Sequence, residues 1–71
     1  MTQKDIHPNG VSLKAARVNK GMTQEEAARN LGISVYTLIN YESGKYYPDV
    51  PILKRIERLY GVPYHRIIFL M

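Results

Sequence analysis

The apolar positions of this chain recur at helical spacing, and glycines separate the stretches in which they recur. Leu13, Ala16 and Arg17 fall on one face of a first helix. This helix is predicted to begin between residues 9 and 12 and to end at Lys20, because a glycine follows. The chain is therefore expected to consist of short helices that each bury one face.

Residues 23–45 have the pattern of two short helices joined by a tight turn. Thr23 and Glu26 are spaced as a capping box, in which the hydroxyl and the carboxylate satisfy backbone donors of a first helical turn. Gly32 can adopt the left-handed conformation that closes a helix, and Ser34 is a good N-cap for the next one. The pattern predicts a helix-turn-helix whose helices cover residues 24–31 and 35–43.

The second half of the chain carries signals for two more helices. Asp49 can cap a fourth helix, which tolerates Pro51 in its first turn and ends at Gly61. Pro63 then opens a short fifth helix, predicted over residues 64–69.

The length of 71 residues indicates one domain, which can bury only roughly 60% of the surface of the unfolded chain. Residues 1–8 are polar and are expected to form a flexible N-terminal arm, with a single domain over residues 9–71. The longest apolar run, residues 67–71, is far below the roughly 18 residues of a membrane-spanning helix. No signal peptide is visible and the chain has no cysteine, so we expect a cytoplasmic protein.

The charge balance favours an anionic partner. Ten Lys and Arg stand against six Asp and Glu, which gives a net charge of +4. A basic chain suits a polyanion such as DNA, but a merely basic surface explains the same balance. Charge alone leaves both interpretations open.

The spacing and residue types together resemble the lambda-repressor-like, or Cro and repressor type, helix-turn-helix family, also called the XRE type. The resemblance covers residues 13–69. It rests on Thr23, Gln24, Glu25, Glu26, Ala28, Leu31, Gly32, Ile33, Ser34, Leu38, Tyr41, Glu42, Gly44, Lys45, Pro48, Gly61 and Val62. It implies an all-α fold, a compact five-helix domain with the helix-turn-helix at helices 2 and 3. It also implies binding to double-stranded operator DNA, usually as a dimer.

The outward face of the third helix is the candidate for reading DNA bases. Each residue advances roughly 100° around the helix, which places Leu38 and Tyr41 toward the core. In the family the opposite surface enters the major groove. The base-reading candidates on it are Val35, Tyr36, Ile39 and Asn40. The Asn40 amide can pair with adenine, and the apolar side chains can contact thymine methyl groups. Because this face is largely apolar, a protein partner also fits it.

Contacts to DNA phosphates are expected near both ends of the third helix. Gln24 begins the second helix, where free backbone amides and the helix dipole attract an anion. Ser34 and Thr37 flank the start of the third helix, although a capping or helix-surface role explains them equally. Ser43 and Lys45 lie where the family's loop meets the DNA backbone.

Arg17 and Glu42 require a structural explanation. Both are predicted to lie on inward helix faces, and burying an unpaired charge is costly. The resemblance implies that the two form an ion pair, which locks the first helix to the third.

The C-terminal segment is rich in apolar side chains for so small a domain. Family members often dimerise through this region. The candidates for dimer or partner contact are Tyr64, Ile68, Phe69, Leu70 and Met71. Closure of the core by Ile67 and Ile68 explains part of the same run.

Catalytic and metal-binding roles fit the sequence poorly. His7 and His65 lie far apart, with no cysteine and no ligand-spaced carboxylate beside them. There is no phosphate-binding glycine loop and no activated nucleophile. We therefore expect no enzymatic activity, no metal, no cofactor, no small-molecule ligand and no membrane association.

Together these features predict a sequence-specific DNA-binding transcriptional regulator of the phage or bacterial repressor or Cro-like type, with the recognition helix 35–43 in the major groove. Its expected partners are double-stranded DNA and either a second copy of the chain or a heterologous repressor. The alternative is a small anti-repressor, modulator or antitoxin that has the same fold and acts by binding a protein.

Overall fold

The computed structural model of the protein describes residues 6–7 and 10–69. Helices account for most of this part of the chain. The four α-helices are α1 (Leu13–Asn19), α2 (Gln24–Leu31), α3 (Val35–Glu42) and α4 (Val50–Tyr60). A 3₁₀ helix over Tyr64–Arg66 follows, and three short strands complete the fold: β1 (Ile6–His7), β2 (Gly10–Ser12) and β3 (Ile67–Ile68).

Each α-helix begins at a side chain that caps it. The residues before α1, α2, α3 and α4 each accept a hydrogen bond from the backbone N–H three positions later, at 3.0 to 3.1 Å; they are Ser12, Thr23, Ser34 and Asp49. The capping box of α2 is confirmed, because Thr23 N also donates to Glu26 Oε1 at 2.9 Å. The hydrogen bond from the Thr23 backbone N–H to the carboxylate, and to a smaller extent the Thr23 side chain, lowers the pKa of Glu26.

The turn between α2 and α3 is closed by a glycine in the left-handed conformation. Gly32 has a φ of 75°, which a residue with a Cβ rarely adopts. The next residue, Ile33, donates its backbone N–H to the Ala28 carbonyl at 3.0 Å and packs against the core. The chain therefore leaves α2 and enters α3 after only three residues.

The core lies among the four α-helices and reaches β3. Small residues on α2 let the neighbouring helices approach closely, since Ala27 and Ala28 are both fully buried. The other buried residues of this core cluster are Leu13, Ala16, Leu31, Leu38, Ile56, Tyr60 and Ile67. The predicted inward face of the first helix is confirmed, because Leu13, Ala16 and Arg17 are all buried.

The prediction of a fifth α-helix over residues 64–69 was wrong. The chain makes one 3₁₀ turn after Pro63 and then runs extended, and Ile67 and Ile68 pair in parallel with Val11 and Ser12 of β2. Two consecutive β-branched residues favour a strand when a partner strand is available. Gly10 permits the close approach, because a Cβ there would lie 2.8 Å from the Ile68 side chain.

The fold is therefore mostly helical rather than all-α. The three strands form one small sheet in the order β1-β2-β3, with β1 antiparallel to β2. Ile6 and His7, within the segment predicted to be a flexible arm, form β1, whereas the rest of that segment lies outside the described residues. No helix in residues 6–7 and 10–69 is long and apolar enough to cross a membrane.

Candidate nucleic-acid interface

The two sides of α3 differ in exposure. Leu38 is completely buried against the core, and Tyr41 packs against the same cluster. On the opposite side Tyr36 is 75% exposed and Ile39 is 38% exposed. The inner and outer faces predicted from helical periodicity therefore match those observed in α3.

The four base-reading candidates lie along one edge of α3, but they are not equally accessible. Tyr36 and Ile39 are exposed, whereas Val35 and Asn40 are half-buried and Val35 packs partly against the core. No described residue hydrogen-bonds the side-chain amide of Asn40, so its donors and acceptor are available to a ligand. The face presents two exposed apolar side chains beside one free amide.

The carbonyl of Asn40 organises the chain that leaves α3. It accepts hydrogen bonds from the backbone N–H of Lys45 at 2.9 Å and from the Ser43 hydroxyl at 3.2 Å. Lys45 is exposed, and its Nζ lies 5.8 Å from the centroid of the Tyr46 ring. Lys45 therefore lies in a short turn directly after the C-terminal end of α3.

The hydroxyl groups at the start of α3 are engaged in capping. Ser34 Oγ accepts from Thr37 N at 3.1 Å and lies 2.9 Å from Thr37 Oγ1. These bonds account for both residues without a ligand. Each hydroxyl oxygen nevertheless keeps a lone pair or a proton for a further contact.

A buried ion pair joins α1 to α3. Arg17 Nε donates to Glu42 Oε2 at 2.7 Å and Arg17 Nη2 donates to Glu42 Oε1 at 3.3 Å. The third guanidinium nitrogen, Nη1, donates to the Met22 carbonyl at 2.8 Å. This bidentate geometry is the strong form of an arginine–carboxylate contact.

Gln24 takes part in the same cluster, which the sequence did not predict. Its Nε2 donates to Glu42 Oε1 at 3.1 Å, although the two residues are 18 positions apart. The capping box identified Gln24 as the first residue of α2, and the inward face of α3 identified Glu42, but neither signal pairs them. The contact depends on how α2 and α3 pack.

Tyr60 of α4 lies close to this cluster with its side chain buried. No described residue hydrogen-bonds its hydroxyl group. Burial, and to a smaller extent the charge of Glu42, raises the pKa of Tyr60 to about 12. The hydroxyl group therefore stays neutral near pH 7.

The candidates for partner contact cluster at the end of the described chain. Tyr64 is 54% exposed, and Ile68 and Phe69 are half-buried. The Phe69 ring meets the Tyr47 ring edge-on at 5.5 Å between centroids, which connects this segment to the loop after α3. Leu70 and Met71 lie outside the described residues.

An apolar groove lies beside Tyr64. It has a volume of about 390 Å³ and is lined by Val50, Leu53, Lys54, Glu57 and Tyr64.

Within the part of the chain that the structure describes, no group of three His, Cys, Asp or Glu residues is arranged to hold a metal ion.

A family model described as Helix-turn-helix matches residues 13–67, which include all four α-helices. The chain belongs to this family. The resemblance to XRE-type helix-turn-helix proteins is thereby confirmed.

Relatives of this helix-turn-helix protein carry the names of transcriptional regulators. An uncharacterized HTH-type transcriptional regulator of Methanocaldococcus jannaschii is 40% identical over 50 residues, which cover 70% of this chain and 76% of that protein. The HTH-type transcriptional regulator ImmR of Bacillus subtilis is 43% identical over 53 residues, covering 75% of this chain and 42% of ImmR. The cryptic phage CTXphi transcriptional repressor RstR of Vibrio cholerae is 31% identical over 51 residues, covering 72% of this chain and 46% of RstR.

The helix-turn-helix protein thus spans most of the archaeal relative but less than half of ImmR and RstR. No solved structure gives a significant match to the chain.

Proposed function

We propose that the chain is a DNA-binding transcriptional regulator in which α2 and α3 form the helix-turn-helix and α3 enters the major groove. The observation that carries the proposal is the division of α3 into a buried inner face and an exposed outer face. Membership in the helix-turn-helix family and the names of the relatives support it. Repression in the manner of phage or Cro-like proteins is the finer form of the same proposal.

The proposed interface divides into residues that read bases and residues that hold the backbone. Base readout is assigned to the outer edge of α3, through Val35, Tyr36, Ile39 and Asn40. Phosphate contacts are assigned to Gln24, Ser34, Thr37, Ser43 and Lys45. Backbone contacts orient a protein on the duplex, whereas base-edge contacts give sequence preference.

The test is a titration of the protein into two duplexes, one from its own promoter region and one of random sequence, at two salt concentrations. A regulator should bind the promoter duplex more tightly, and both affinities should fall steeply as salt rises. Equal affinity for the two duplexes would reject sequence readout. Failure to bind either duplex at low salt would reject DNA binding altogether.

A second candidate function is binding to a protein partner, as an anti-repressor or antitoxin would do. The observation that favours it is the exposure of Tyr36 and Ile39 on α3, together with exposed Tyr64 beside an apolar groove. A stable complex with a co-encoded protein that excludes DNA from α3 would support this candidate. Retention of that complex by Tyr36→Ala and Ile39→Ala variants would count against it.

Self-association is proposed through the C-terminal segment that contains Tyr64, Ile68 and Phe69. A two-fold dimer on DNA would place two copies of α3 about 34 Å apart, one turn of the duplex. Sedimentation at micromolar concentration tests this proposal. A monomer both free and on a two-site duplex would reject it.

A further inference from the structure

One carboxylate connects three helices. Glu42 Oε2 accepts from Arg17 Nε at 2.7 Å, and Glu42 Oε1 accepts from Gln24 Nε2 at 3.1 Å. Arg17 belongs to α1, Gln24 to α2 and Glu42 to α3. Arg17 and Glu42 are buried, whereas Gln24 is half-buried at the surface end of the cluster. The polar cluster therefore leads from the interior to the start of α2.

The bond to Glu42 determines which end of the Gln24 amide is presented. A side-chain amide has two N–H donors at one end and an acceptor oxygen at the other, and the terminal torsion of a free glutamine rotates broadly. Reversing the Gln24 amide would put its oxygen against the Glu42 carboxylate. Because one N–H is bound to Glu42 Oε1, the second N–H is held at the same end of the side chain.

The surroundings of Gln24 suit an anion. No described residue accepts a hydrogen bond from the backbone N–H of Gln24 or Glu25, so both point out of the start of α2. The nearby Glu42 carboxylate would repel a phosphate if it were unpaired. Its bidentate pair with Arg17 neutralises that charge, so the amide can approach an anion.

We propose that Glu42 is a positioning residue for binding to the DNA backbone. It does not touch DNA itself. It fixes the Gln24 amide so that the second N–H donates to a phosphate oxygen at the start of α2. The inference rests on the proposed DNA-binding function, which it extends by linking the buried ion pair to the affinity for the backbone.

In the decisive test, a charge effect and the proposed positioning role predict changes in DNA affinity of opposite sign. Glu42→Gln removes a negative charge from the protein, which on charge alone should tighten binding to a polyanion. The proposed positioning role predicts the opposite, a loss of affinity of about tenfold, as expected for one hydrogen bond to a charged group. The control is Glu25→Gln, which removes the same charge from an exposed neighbouring position and should leave affinity unchanged or raise it.

A double-mutant cycle separates positioning from a general disturbance of the fold. Gln24→Ala alone should weaken binding to both promoter and random duplex by about tenfold. If Glu42 acts through Gln24, then Glu42→Gln should cause little further loss in the Gln24→Ala background. Independent, multiplying losses in the double variant would overturn the inference.

Circular dichroism at the temperature of the titration must show that each variant is folded. If Glu42→Gln does not fold, nuclear magnetic resonance on the wild-type protein gives the answer. The side-chain NH₂ protons of Gln24 should exchange with water at least tenfold more slowly than those of a glutamine in a short peptide, and should shift when duplex is added. Exchange as fast as in the peptide would overturn the inference.

Failure of the inference and failure of the proposed function are distinguishable. A wild-type protein that binds no duplex at low salt would remove the proposed function and this inference with it. If the wild-type protein binds tightly, and the affinity losses of Gln24→Ala and Glu42→Gln multiply in the double variant, only the inference is removed.

Discussion

The inner and outer faces of α3 are held in opposite ways. Toward the interior, Leu38 is fully buried and Glu42 is bonded to both α1 and α2. Toward solvent, Tyr36 and Ile39 are exposed, and no described residue bonds the Asn40 side-chain amide. The inner face fixes the direction in which the helix points, and the outer face is free to carry the residues that recognise a partner.

This difference also separates two uses of apolar surface. Apolar residues on the inner face are needed for folding, because burial of a leucine side chain stabilises the domain by about 2 kcal/mol. Tyr36 buries little of its surface in the isolated chain, whereas Ile39 leaves 38% of its surface exposed. The surface that they leave exposed would be buried only if a partner covered it, as the proposed function requires.

The largest effect on stability is expected from a truncation on the inner face of α3, compared with a truncation on its outer face. Leu38→Ala should lower the free energy of unfolding by about 4 kcal/mol, because it leaves a cavity at a fully buried position. The neighbouring Ile39→Ala should cost less than about 1 kcal/mol, since this side chain is partly in solvent already. Urea unfolding of both variants measures the contrast. Similar losses at the two positions would show that the faces are not distinct.

Arg17→Met tests the polar part of the inner face. It leaves Glu42 buried without its cation, so the free energy of unfolding should fall by about 3 kcal/mol. Lys14→Met on the exposed side of α1 is the matched control and should change stability little. Urea unfolding at pH 7 provides the measurement. Wild-type stability of Arg17→Met would mean that the ion pair does not hold α1 to α3.

The outer face should respond in binding instead of stability. Asn40→Ala is expected to reduce the preference for the promoter duplex over an altered site by about 2 kcal/mol, because an amide reads base edges. Lys45→Ala should weaken binding to all duplexes alike and flatten the salt dependence, since it would remove one proposed phosphate contact. Titrations at two salt concentrations distinguish the two effects. Equal changes in preference from both substitutions would undo the assigned roles.

The helices with clear end signals were predictable, because their determinants lie within a few residues of each other. Thr23 and Glu26 set the start of α2, Gly32 its end, and Asp49 the start of α4. A side-chain cap needs only the backbone three positions ahead. These boundaries were predicted from the sequence alone, and the structure confirms them.

The features that depend on distant segments were not predictable. Ile67 becomes a strand only because Val11 of β2 lies beside it, and Gly10 gave no local sign that it admits a close neighbour. The contact between Gln24 and Glu42 likewise requires the packed arrangement of α2 and α3. Helical periodicity specifies which side of a helix faces inward, but it does not specify which residues meet there.

Tyr60→Phe tests the buried surroundings of Glu42 and should have the smallest effect. The tyrosine hydroxyl has no hydrogen-bond partner among the described residues, so its removal should leave stability at pH 7 unchanged or raise it by up to about 1 kcal/mol. The pH dependence is more specific. Burial and Glu42 raise the pKa of Tyr60 to about 12, above the value near 10 of an unfolded chain.

Because the folded pKa is the higher one, the hydroxyl of the unfolded chain ionises first, so the free energy of unfolding is independent of this group below about pH 10 and falls as pH rises from about 10 to 12. Between pH 7 and pH 11 the free energy of unfolding should therefore fall by about 1 kcal/mol more in the wild-type protein than in Tyr60→Phe. Urea unfolding at pH 7, 9 and 11 measures this difference. Tyr64→Phe, at an exposed position, is the control and should follow the wild type. Parallel pH profiles for wild type and Tyr60→Phe would show that this hydroxyl is not buried beside the charged inner face of α3.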